Sequence, residues 1–88
     1  MLNINFKKSF QKDYKKLISN GFNPSVLNEV ITTLRKKKPL EPQFKDHALK
    51  GAWKPFRECH IKSDILLVYL VKDDELILVR LGSHSELF

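Results

Sequence analysis

Three histidines stand in the second half of the chain, His47, His60 and His84, each beside a polar or charged residue and outside any apolar run. Imidazole titrates near ~6.5, which makes it the side chain best matched to moving protons at neutral pH. Asp64 follows a Lys62-Ser63 turn, and Arg80 lies near the end of an apolar segment that runs into Gly82-Ser83-His84. An arginine there can fork onto phosphate oxygens, and the glycine lets the loop bring His84 back beside it. Two proton carriers and one guanidinium meet the needs of metal-free RNA cleavage. A base takes the ribose 2′-hydroxyl proton, a cation steadies the phosphorane, and an acid protonates the departing 5′-oxygen. Phe88 adds an aromatic ring able to stack on a base.

Each of these residues also has a plain structural use, and for any single histidine packing or capping is the commoner one. Asp64 fits turn capping as well as orienting a histidine. Three imidazoles could instead hold zinc and a water, but no HxH, HxxxH or HExxH element occurs. No metal and no cofactor is therefore expected. In a regular strand from Phe56 to Lys62, Glu58 and His60 share one side while Arg57, Cys59 and Ile61 share the other. That alternation sends Arg57 into a structural ion pair and takes Cys59 away from His60 as a nucleophile. Phe44, Trp53 and Tyr69 are expected in the core.

These residues must be positioned by elements that hydropathy patterning outlines. Leu2, Ile4 and Phe6 alternate as in a short strand from Leu2 to Phe6. Phe10, Tyr14, Leu17 and Ile18 recur at helical spacing up to Asn20-Gly21, where glycine tolerates the left-handed cap. Asn23 and Pro24 restart a helix as cap and first residue, with Leu27, Val30, Ile31 and Leu34 as its stripe, and Pro39 stops it. The stretch from Pro39 to Pro55 reads mostly as loop, with a short strand near Phe44 to Leu49. Three strands follow, Phe56 to Lys62, Ile65 to Val71 and Leu76 to Leu81, the second an unbroken apolar run typical of a central strand. The order β-α-α-β-β-β, with a further short strand, predicts an α+β fold in which a helical hairpin packs on one face of a mostly antiparallel sheet.

A chain of 88 residues builds one core, so residues 1–88 are expected to form one domain. The single cysteine excludes an internal disulfide and suits a reducing cytoplasm. The longest apolar run is of strand length and the first ten residues already carry lysines, so neither a membrane anchor nor a signal peptide is expected. The net charge is +6, and it is divided unevenly. Residues 1–50 carry eleven Lys or Arg against four acids, a net +7, whereas residues 51–88 carry five against six, a net −1. The balance points to a polyanionic partner, nucleic acid first and an acidic protein second.

Three motifs sharpen this. Asp46-His47-Ala48-Leu49-Lys50-Gly51-Ala52-Trp53-Lys54, Phe56-Arg57-Glu58-Cys59-His60-Ile61-Lys62-Ser63-Asp64 and Arg80-Leu81-Gly82-Ser83-His84-Ser85-Glu86-Leu87-Phe88 follow one another behind a strand and two helices. In that order they resemble the YafQ branch of the RelE superfamily over essentially the whole chain, close to its Helicobacter members. The resemblance implies a toxin that cleaves mRNA as an endoribonuclease, often in the ribosomal A site, and is silenced by an antitoxin encoded beside it. It also implies that His47, His60 and His84 share acid-base work with Asp64, that Arg80 stabilises the phosphorane, and that Phe88 holds the base. Lys50 and Lys54, in the first motif, are assigned to RNA contact. Ala48, Pro55, Ser63 and Ile65 depart from residues common in the family, which bears on loop shape and substrate preference. The antitoxin is expected to be acidic and to fold on binding. The alternative is a non-catalytic basic module of the same fold that binds nucleic acid or a partner protein. Poisoning of a gyrase, as in the ParE branch, has no need of proton carriers.

Overall fold

The computed structural model describes every residue from Met1 to Phe88. The elements in order are β1 (Asn3–Phe6), α1 (Lys8–Ser19), α2 (Ser25–Arg35), β2 (His47–Ala48), β3 (Arg57–Lys62), β4 (Ile65–Lys72), β5 (Glu75–Gly82) and α3 (His84–Leu87). Single 3-10 turns at Pro42–Phe44 and Gly51–Trp53 shape the connection between α2 and β3. α1 ends at Asn20 and Gly21, and Gly21 adopts φ 90, a conformation that glycine reaches without steric cost. α2 begins at Ser25, one residue later than the pattern suggests, yet the Asn23 side chain still accepts its amide proton at 3.0 Å.

The strands form one sheet in the order β1-β5-β4-β3-β2, with β1 parallel to β5 and every other pair antiparallel. β4 is central, as its apolar run requires, and Ile65 through Tyr69 are all buried. On one face Leu67, Tyr69, Leu76, Leu78 and Leu81 pack beneath Phe10 of α1 and Leu27, Val30, Ile31 and Leu34 of α2. On the reverse face a smaller cluster joins Leu66 and Val68 to Leu87 of α3, with Leu49, Trp53, Phe56 and Val79 around it. No helix is long and apolar enough to cross a membrane.

Two features of β5 decide how the reverse face is furnished. Strict alternation would place Arg80 on the side of Leu76 and Leu78. Instead the pairing slips, with Val68 opposite Arg80 and Tyr69 opposite Leu78, so Val79 is an extra residue on β5. Such a bulge reverses the alternation beyond it, which returns Leu81 to the core and puts Arg80 on the side of Val68. Beyond Phe6, moreover, β1 no longer covers the edge of β5, and α1 takes its place. The Ser9 hydroxyl donates to the Val79 carbonyl, and the Asp13 carboxylate accepts the Leu81 amide proton at 2.9 Å, satisfying edge groups that would otherwise lack a strand partner.

Candidate active site

Antiparallel residues directly opposite each other project to the same side of a sheet, so the register states which side chains share the reverse face. One row runs His47, Glu58, Val68, Arg80 across β2, β3, β4 and β5. The neighbouring row runs His60, Leu66, Gly82, and leads directly into Ser83 and His84. With strands about 4.8 Å apart, the backbones of Glu58 and Arg80 are separated by roughly 10 Å.

Glu58 is the centre of the first group and the one charged residue that is buried, at 6% exposure. Its Oε1 lies 3.2 Å from His47 Nε2 and 3.9 Å from His60 Nε2, and the two rings are 6.4 Å apart. His47 Nδ1 stands 2.7 Å from the Lys45 carbonyl, which only accepts, so Nδ1 donates. With Nδ1 donating, Nε2 and Oε1 are both acceptors unless a proton lies between them, and that proton can sit on the ring or on the carboxylate. A pair able to hold one proton in either place is suited to receiving and passing on a proton.

His47 is placed by a separate network. Asp46 accepts from Arg57 Nη2 at 3.2 Å and from the Tyr69 hydroxyl, which ties the start of β2 to the helix-covered face. The bond to Asp46, reinforced by Tyr69, raises the Arg57 pKa, while burial and then the Asp46 bond push the Tyr69 hydroxyl well above its ordinary range. Arg57 therefore has the structural ion pair that strand alternation suggests. Cys59, on the same side, is fully buried, and burial, with the nearby Asp46 and Glu58 charges, pushes its thiol up to about 12. It remains a thiol at neutral pH and offers no nucleophile.

Arg80 forms a two-point pair with Asp13 of α1, Nε to Oδ2 at 2.7 Å and Nη2 to Oδ1 at 3.2 Å, and this bonding raises its pKa. Neither Asp64 nor Glu58 is its partner. The pair leaves Nη1 unengaged, so a guanidinium fixed along one edge keeps donors for an anion. Asp13 is a residue that pattern reading passes over, because its partner is 67 positions away in the chain.

α3 holds His84, and the motif Ser83-x-x-Glu86 accounts for it. The Ser83 hydroxyl caps the Glu86 amide while the Glu86 carboxylate accepts from the Ser83 amide, a reciprocal capping box legible in the sequence. Gly82 allows the close return. A Cβ there would stand 3.3 Å from Glu86 Oε1 and 3.5 Å from Leu87 Cδ2, so an added methyl would need a small shift of the Glu86 carboxylate that caps α3. The His84 ring is exposed and lies 5.1 Å from the Phe88 ring, which meets Trp53 edge-on at 4.8 Å. Trp53 meets Phe56 at 6.3 Å, so an aromatic wall runs from His84 through Phe88 and Trp53 to Phe56. Trp53 thus belongs partly to this wall, whereas Phe44 and Tyr69 are buried in the core.

The other expected site residues lie farther out. Asp64 is exposed in the β3–β4 turn and makes no hydrogen bond or ion pair with a histidine, and the carboxylate that does is Glu58. The signal for Glu58 was its shared side with His60 in β3. Lys50 and Lys54 are exposed on either side of the Gly51–Trp53 turn that carries the aromatic wall. No group of three or more His, Cys, Asp or Glu side chains is arranged to hold a metal ion.

The capping box makes α3 sensitive to acid. Hydrogen bonds from the Ser83 amide and hydroxyl, and then the contact with Lys16, lower the Glu86 pKa. A depressed carboxylate contributes its full stabilisation above the ordinary value near ~4.3 and loses it as the pH falls through the lowered one. The α3 resonances of Ser83 and Glu86 should therefore titrate with a midpoint below that ordinary value. Glu86→Gln should abolish this titration, and slow cleavage less than loss of His84 itself.

Comparison with known proteins bears on the family and the fold. Residues 2–88 match the family model described as bacterial toxin of type II toxin-antitoxin system, YafQ. The chain is 33% identical to the mRNA interferase toxin YafQ of Escherichia coli K12, over 97% of this chain and 94% of that one. It superposes on a crystal structure of a copper-bound mutant toxin from Helicobacter pylori with a TM-score of 0.99, at 80% identity and complete coverage of both chains. It also superposes on the Escherichia coli DinJ–YafQ complex with a TM-score of 0.91, at 31% identity, covering 100% of this chain and 99% of that one.

Proposed function

Since the chain belongs to the YafQ family of bacterial toxins of type II toxin-antitoxin systems, we propose that it is an endoribonuclease that cuts mRNA by attack of the ribose 2′-hydroxyl on the adjacent phosphate. One observation carries the reading. The sheet lines up the His47–Glu58–His60 group and Arg80 on one face, with His84 and an aromatic wall at its border. The proton-sharing group around Glu58 receives the 2′-hydroxyl proton as the 2′-oxygen bonds to phosphorus. Arg80, steadied by Asp13, stabilises the charge that builds on the phosphorane. His84, whose ring has no carboxylate partner, gives a proton to the departing 5′-oxygen. The products are a 2′,3′-cyclic phosphate and a 5′-hydroxyl. Phe88 and Trp53 hold a flanking base, Lys50 and Lys54 contact the RNA backbone, and Asp64 stands at the rim of the β3–β4 turn.

The curated relative is called an mRNA interferase, and the relative in the solved complex is bound to its antitoxin DinJ. A cognate antitoxin for this chain, acidic and folding on binding, fits its basic charge. A relative from Helicobacter pylori has been crystallised with copper, and an assay in EDTA separates metal-dependent cleavage from steps carried by protein groups alone. The purified protein should cleave RNA in EDTA and leave cyclic phosphate ends, read by mass spectrometry of the fragments. RNA carrying 2′-deoxyribose at the cut position should resist. Cleavage of that RNA, or salt-sensitive binding with no cleavage of any RNA, would replace this reading by another mechanism or by the non-catalytic module. Mapping the ends with and without ribosomes reports where the cut is made.

A further inference from the structure

We propose that the reverse face of the sheet carries a second RNA subsite, a lysine-rimmed cleft beyond the aromatic wall that binds the backbone of the same single strand as it leaves the cleavage site. The cleft encloses about 720 Å³ between the start of α1 and the β4–β5 hairpin. Its floor is apolar, formed by Leu70, Ile77 and Val79. Its rim carries Lys7, Lys8 and Lys72, all exposed and none in an ion pair, and no carboxylate lines it.

Continuity with the active site supplies the argument for an RNA occupant. Phe56 lines the cleft and also packs on Trp53, and Val79 belongs both to the floor and to the cluster under α3. Leu70 lies two residues beyond Val68 in β4 and so projects from the same face. From the row of Glu58, Val68 and Arg80, a strand could pass over Phe56 and reach Lys72, roughly 13 Å along β4. An apolar, partly aromatic floor under a row of ammonium groups is how proteins hold single-stranded RNA without reading its sequence, bases on the floor and phosphates on the rim. Elsewhere the lysines have other surroundings: Lys16 is paired with Glu86, and Lys36, Lys37 and Lys38 follow α2 outside this cleft. The subsite extends the ribonuclease reading by naming where the rest of the substrate lies.

The test compares wild type with Lys7→Gln/Lys8→Gln/Lys72→Gln, and with Lys36→Gln/Lys37→Gln/Lys38→Gln as an equal charge change elsewhere. The probes are 2′-O-methyl RNA oligonucleotides, which bind but cannot be cut, one short enough to fill only the cleavage site and one extended on both sides. On the long probe the cleft variant should lower the salt dependence of log K by about 2, the loss of three phosphate contacts at about 0.7 each. On the short probe it should match wild type, and the control triple should retain the wild-type slope on both. With cleavable RNA the cleft variant should raise KM for long substrates and keep kcat. An unchanged slope on long RNA, an equal loss in the control, or a loss confined to binding of an acidic protein would overturn the subsite. Because binding is read on uncleavable RNA, a wild type that binds long RNA through the cleft yet cuts nothing would refute the ribonuclease reading alone.

Discussion

Replacing His84 with alanine is expected to slow RNA cleavage by roughly 10² to 10⁴-fold with no loss of the folded state. The side chain is exposed at the first position of α3, makes no hydrogen bond, and touches the Phe88 ring, so its removal opens no cavity in the core. Alanine is also well accommodated in a helix. What is lost is the proton donor for the 5′-oxygen, whose departure as an alkoxide is the costly alternative. Single-turnover rates with the protein in excess isolate the chemical step, and a thermal melt of the variant checks the fold. A loss of less than tenfold would remove His84 from the reacting centre. The acid-base work would then lie wholly within the His47–Glu58–His60 group.

Arg80→Ala should cost about 10² to 10³-fold in kcat, the usual consequence of removing one donor aimed at developing negative charge. Arg80→Lys should recover little, because a single ammonium nitrogen cannot reproduce the planar two-point pair with Asp13 that fixes the remaining guanidinium donors. Asp13→Asn discriminates between charge and placement. It keeps the guanidinium but weakens the two-point pair at 2.7 and 3.2 Å, so its loss in kcat should fall between wild type and Arg80→Ala. Melting curves belong with these rates, since the same carboxylate accepts the Leu81 amide proton and helps α1 cover the edge of β5. Wild-type rates in both Arg80 variants would place phosphorane stabilisation elsewhere.

Periodicity was enough to outline the strands and helices, because burial of an apolar side sets the spacing of apolar residues whatever the partner. The run from Ile65 to Val71 marked a central strand before any pairing was visible, and β4 is central. The motifs around His47, His60 and His84 identified the residues capable of moving protons, and the alternation in β3 separated Glu58 and His60 from Arg57 and Cys59. Even α3 was written in the chain as Ser83-x-x-Glu86, a local signal easily passed over in so short an element.

Tertiary structure decided the rest. The bulge at Val79 turns Arg80 from the side of Leu78 to that of Val68, and register, set by how β4 and β5 pair, leaves no trace in the spacing of one strand. Asp13 becomes the partner of Arg80 because α1 takes over the edge that β1 abandons, a contact between residues far apart in sequence. Glu58 and not Asp64 meets the histidines, since one short antiparallel pairing brings His47 opposite it while the turn leaves Asp64 facing water. Local patterns determine which residues share a side of an element. Which sides then face one another depends on long-range pairing, which a single chain read in order does not encode locally.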